Sequence, residues 1–151
     1  MNWTYALLAL VAGALLPLQA LVNARLGQAT AGGLFASACS FLVGTLALAC
    51  VLAVTRTALP SGESLLRLPA WIWAGGVLGA AFVLIATLAI PRIGAASLVA
   101  VVVLGQMIAA LVLDRFGILQ AAREVNATRL LGALLVVAGV VLVLEPWKTA
   151  R

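Results

Sequence analysis

Polar positions in this chain fall into short clusters that separate five long apolar stretches: Tyr5 to Ala24, Leu34 to Val54, Trp71 to Ile90, Ala95 to Leu113 and Leu130 to Leu144. A helix rises about 1.5 Å per residue and about 20 apolar residues cover a hydrocarbon core roughly 30 Å thick, so each stretch is long enough to cross a bilayer, the last with the least margin. The pattern predicts an all-α polytopic membrane protein, a single transmembrane domain over 1–151 built as a bundle of five transmembrane helices. The connections are too short to fold as a separate soluble domain. An odd number of crossings places the termini on opposite sides. A second copy inserted upside down would then be related to the first by an axis in the membrane plane, the symmetry on which many transporters are built.

The polar clusters read as tight connections. Gln28 to Gly33 joins spans one and two with turn-forming glycines, and Arg56 to Pro69 carries the turn signal Pro60-Ser61-Gly62-Glu63 with too few leucines for another span. Pro91-Arg92-Ile93-Gly94 is so short that spans three and four are expected to be antiparallel neighbours. Between Asp114 and Arg129, the part from Gln120 to Asn126 is expected to form one or two interfacial helical turns. Trp3, Trp71, Trp73 and Trp147 all fall at predicted span ends, where amphipathic rings settle at the headgroup level. The first span resembles a signal peptide only in its small residues Val22-Asn23-Ala24. It lacks an N-terminal Lys or Arg and is longer than a typical signal core, so it is read as retained.

Composition agrees with this picture and excludes several functions. The chain is 66% hydrophobic and 9% charged, against roughly a quarter charged in soluble domains. A net charge of +5 and a sequence pI of about 10.7 raise the question of nucleic acid. The nine Lys and Arg are scattered singly through the loops, however, as expected of residues that meet anionic lipid headgroups. No nucleic-acid partner is expected. Cys39 and Cys50 lie about 16 Å apart along one helix and cannot bridge to each other, and no histidine occurs, so no metal site and no cofactor are predicted.

Orientation is nearly undetermined by charge. Arg56, Arg67, Arg115, Arg123 and Arg129 lie on the side of the N-terminus, and Arg25, Arg92, Lys148 and Arg151 lie opposite, five against four. The positive-inside rule works through the difference between sides. Either one side prevails through the first helix, or the chain inserts both ways and pairs as an antiparallel homodimer.

Backbone groups satisfy one another inside a spanning helix, so polar side chains within the spans are what need explaining. Span one carries Pro17, Gln19 and Asn23; the four-residue spacing stacks the two amides on one face, and Pro17 is expected to kink the helix above them. Span two offers Ser37 and Ser40, and span four places Gln106 well inside its length. Gln19, Asn23 and Gln106 either bond neighbouring helices, a contribution of about 0.6 kcal/mol on average, or line a solute path together with Ser40. Small residues mark close helix contacts: Ala36, Ser40 and Gly44 at four-residue spacing, Gly75 and Gly79, and Gly132 with Gly139. Of the four acids, Glu63 and Glu124 lie in loops, Glu145 stops span five, and Asp114 ends the span that carries Gln106. Asp114 is thus the candidate for ion coupling, with a salt bridge to a nearby arginine as its other reading.

These residues also form recognisable runs. Gly13-Ala14-Leu15-Leu16-Pro17-Leu18-Gln19-Ala20-Leu21-Val22-Asn23-Ala24-Arg25-Leu26-Gly27, Ser40-Phe41-Leu42-Val43-Gly44, Gly105-Gln106 with Asp114-Arg115-Phe116-Gly117, and Arg129-Leu130-Leu131-Gly132 with Gly139-Val140 resemble the YdcZ-like branch of the drug/metabolite transporter superfamily. The resemblance spans nearly the whole chain. It implies a five-span inner-membrane protein, half the size of ten-span members built from inverted repeats, that exports small molecules. Small four-span multidrug members use a glutamate in their first span, and this chain has none there.

Three function classes follow. The first is a secondary transporter exporting a small polar or amphipathic metabolite by alternating access. Without a GxxxxGK[ST] loop it is not driven directly by ATP. The second is a non-transporting subunit that packs against a partner protein. An enzyme is not expected, since neither histidine nor a pair of mid-span acids is present.

Overall fold

The computed structural model describes residues 2–117, 124 and 126–145. The chain runs α1 (Trp3–Ala29), α2 (Gly33–Val54), a short α3 (Gly62–Leu66), a 3₁₀ turn (Ala70–Trp73), α4 (Ala74–Ile93), α5 (Ala95–Phe116) and α6 (Ala127–Leu144), with no strand among the described residues. Five of these segments are long and apolar enough to cross a membrane, the third running from Ala70 to Ile93. The expected interfacial turns between Gln120 and Asn126, and the boundary residue Trp147, lie outside the described residues.

Local chemistry sets the helix ends. Asn2 caps α1 by accepting from the Thr4 amide, and Asn126 caps α6 by accepting from the Arg129 amide at 3.0 Å. Gly32 and Gly94 precede α2 and α5 with φ of 95° and 79°, and Gly117 closes α5 in the left-handed region. A side chain would be strained at each of these three positions. Leu65, Leu66 and Leu68 add no span; three of the residues around them join a five-residue helix capped by Ser61.

Two boundaries differ from the sequence reading. α1 continues past Ala24 to Ala29, because nothing from Arg25 to Gln28 breaks a helix. α4 continues through Pro91 to Ile93, since a proline near the last turn deprives only the Thr87 carbonyl of its usual donor and the helix stops soon after. Pro17 likewise sits inside an unbroken α1. Four residues back, where a proline ring crowds the helix, is Gly13, around which a Cβ would meet nothing within 4 Å.

The chain divides into two compact units, Met1–Arg92 and Ile93–Arg151. In the first, the buried residues are Ala20, Asn23 and Ala24 of α1, Ala36 and Ser37 of α2, and Val83, Ala86, Thr87 and Ile90 of α4. All belong to the end of the unit where α1 finishes, α2 begins and α4 finishes. Small side chains permit this close approach, and Leu88 lies across Gly33. The second unit is the α5–α6 hairpin, with Leu98 and Val140 buried.

Candidate functional site

The amide face of α1 meets α2. Gln19 Nε2 donates to Ser40 Oγ at 3.4 Å, a long bond between an exposed amide and a half-buried hydroxyl. Gln19 also borders a void of about 10 Å³ between α1 and α4, lined by Leu16, Ala20, Phe82 and Val83, room for about one water. One turn further along α1, Asn23 is only 3% exposed, and its Nδ2 has no hydrogen-bond partner. Such a group costs about 1–3 kcal/mol.

Two larger cavities open beyond Asn23, towards the ends of α1 and α4. One of about 250 Å³ is lined by Leu21, Ala24, Arg25, Gln28, Ile90 and Pro91. Another, of about 260 Å³, shares Ala24, Gln28 and Pro91 and adds Gly33, Thr87 and Arg92 among its walls. Thr87 is 2% exposed, and its Oγ1 has no partner. The sequence reading passed over Thr87 and this mouth; a hydroxyl set between Ala86 and Leu88 inside an apolar run was the available signal.

In the second unit, Gln106 is exposed midway along α5. Asp114, at the end of the same helix, accepts from Arg129 Nη1 at 3.1 Å, with side chains 20% and 38% exposed. The loop arginine that engages it is therefore Arg129, which begins α6. Among the glycines read as packing positions, Gly79 faces the Phe41 ring at 3.6 Å, whereas a Cβ at Gly44 or Gly75 would meet nothing within 4 Å in its unit, and the same holds at Gly132 and Gly139 in theirs. Among the described residues, no group of three or more His, Cys, Asp or Glu is placed to hold a metal ion.

The apolar helices, their polar inner positions and their short connections match a known family along nearly their full extent. A protein-family model described as "Putative inner membrane exporter, YdcZ" matches residues 4–142. The chain belongs to the YdcZ family. As a member it is a multi-pass inner-membrane protein of exporter type, and the match covers all of α2, α4 and α5 and most of α1 and α6. No curated protein and no solved structure matches the chain.

Proposed function

We propose that this YdcZ-family chain is a secondary transporter that exports a small polar or amphipathic metabolite by alternating access, working as an antiparallel homodimer and not as an enzyme. The observation that carries the reading is Gln19: an amide within the hydrophobic length of α1, exposed and held only by a 3.4 Å bond to Ser40. Carboxamides are costly against lipid tails, so a face bearing one belongs beside water or other polar groups. Gln106 is exposed at a similar depth on α5. Gln19, Asn23, Ser40 and Gln106 are the residues proposed to line the solute path, with Pro17 as a flexible point in α1 and Asp114 as a coupling candidate through its pair with Arg129. Gly44, Gly75, Gly79, Gly132 and Gly139 are proposed helix-packing positions, some of them between copies. The five-to-four distribution of basic residues and the odd span count support the inverted pairing.

A solute screen on purified protein in liposomes tests the reading. Asn23→Leu and Gln106→Leu are expected to abolish flux while leaving folding intact, and full flux by both variants would remove these amides from the path. Reporters fused at Ala150 are expected to give signal from both sides of the membrane. A single orientation that persists when Arg115 or Lys148 is neutralised would exclude the antiparallel dimer.

A further inference from the structure

The mouth of the first unit carries positive charge with nothing on the same unit to balance it. Arg25 lines one of its two adjoining cavities and Arg92 the other. The one acid in residues 1–92 is Glu63, which pairs with Arg67 in the loop after α2. That loop lies beyond the far end of a 22-residue helix, about 33 Å away by helix rise. Gly33, the first residue of α2, is in the wall of the second cavity. Gly32 supplies no side-chain cap, and the first helical amide with a helix-type bond is Ala36, to the Gly32 carbonyl. The amides of Gly33, Leu34 and Phe35 are thus the donors that a helix start leaves open, at the positive end of its dipole.

A separate observation points to a ligand. Thr87, 98% buried by the 2% exposure of its surface, forms part of the same wall, and its hydroxyl has no hydrogen-bond partner. Buried hydroxyls are normally bonded, most simply to a helix carbonyl, so an unbonded one beside a cavity is a group in want of a partner. The cavity of about 260 Å³ is near the roughly 300 Å³ lower end of small-ligand sites.

We propose that this mouth binds a small oxyanion, a carboxylate or phosphate group, borne by a free solute or by a lipid headgroup. Arg25 and Arg92 supply charge from the two sides, the start of α2 supplies amide donors, and Thr87 supplies a hydroxyl. Occupancy needs no solute to cross the membrane; the further consequence, that the exported metabolite is an acid, rests on the transport reading above.

The test is equilibrium dialysis of the full chain in phosphatidylcholine nanodiscs against radiolabelled inorganic phosphate at constant ionic strength. Saturable binding is expected, weakened about tenfold or more by Arg92→Gln and by Arg25→Gln, since charge-assisted bonds are lost, and unchanged by Arg56→Gln at the other end of α2. Thr87→Val is expected to weaken binding as well without lowering the melting temperature, because it removes an unbonded buried hydroxyl. Repeating the measurement in phosphatidylglycerol nanodiscs separates the sources. Persistent phosphate binding assigns the site to a free solute. Displacement of phosphate, with phosphatidylglycerol enriched on the wild type and not on the three variants, assigns it to a headgroup. The proposal is overturned if neither phosphate nor phosphatidylglycerol is held by the wild type, or if all three variants hold them equally well. Flux is scored separately: flux without binding removes this site alone, and binding without flux removes the transport reading alone.

Discussion

The two ends of the α1–α2–α4 unit use similar residues to different effect. At the end where α1 finishes, Ala20, Ala24, Ala36, Gly27 and Gly33 bring the helices together, and Asn23, Ser37 and Thr87 are carried into the contact. Towards the other end Gly13, Gly44, Gly75 and Gly76 are just as small, yet a Cβ added to any of them would meet nothing within 4 Å, and Leu8, Leu48 and Val77 are exposed around them. Small residues therefore permit close approach without compelling it. In a bilayer, lipid tails cover an apolar face as well as another helix does, and packing complementarity decides which contacts form. Leu88 over Gly33 and Phe41 beside Gly79 are such complements. The open end has none within its unit, and in the proposed dimer it is the natural place for a second copy.

The largest contrast is expected from adding bulk at each end. Ala36 is 0% exposed, so Ala36→Leu should overpack the closed end and lower stability by about 1–3 kcal/mol. Gly44→Leu should leave the melting temperature of the monomer unchanged and reduce cross-linking between copies. Loss of folded protein by Gly44→Leu, with Ala36→Leu tolerated, would reverse the assignment of the two ends.

A gentler pair sharpens the same comparison. A Cβ on Gly27 would come within 3.1 Å of the Gly32 and Gly33 backbone, which cannot swing aside as a side chain can. Gly27→Ala is expected to destabilise, while Gly13→Ala is expected to stabilise by up to about 1 kcal/mol through helix propensity alone. Thermal unfolding of both variants in one detergent measures the difference, and equal shifts would mean that the packed end is looser than described.

The smallest effect belongs to the α5–α6 hairpin, which is clasped by charge near its connection. Asp114 and Arg129 are partly exposed, and pairs of this kind contribute about 0–1 kcal/mol. Asp114→Asn and Arg129→Gln should each cost about 0.5 kcal/mol, and the double variant little more than either. A flattened pH dependence of transport in Asp114→Asn would show a coupling role that the clasp alone does not provide.

Much of this architecture was legible in the residues. Length and apolarity marked all five spans, and Trp3, Trp71 and Trp73 marked boundaries to within a few residues, because crossing a bilayer imposes one dominant constraint. The extensions of α1 to Ala29 and of α4 through Pro91 were not legible: hydrophobicity ends where the membrane ends, whereas helices end where capping and backbone chemistry stop them. In the site, the spacing of Gln19 and Asn23 correctly placed both on one face of α1, yet Gln19 stays exposed beside Ser40 while Asn23 is sealed against its neighbours. Helix periodicity gives a direction for each residue and not the distance to the next helix. Thr87 was missed for the same reason, its importance coming from Gly33 and Arg92 across the cavity.

The central claim is that the face bearing Gln19 is wet and not a dry contact. It is tested most directly by thiol labelling in a chain whose Cys39 and Cys50 are first replaced by alanine. Gln19→Cys is predicted to react with a hydrophilic maleimide in sealed vesicles, while Leu18→Cys, an exposed apolar neighbour on the same helix, stays unreactive in the lipid. If Gln19→Cys is as inert as Leu18→Cys from both sides of the membrane, the amide belongs to a dry helix contact and the solute path does not run along this face of α1.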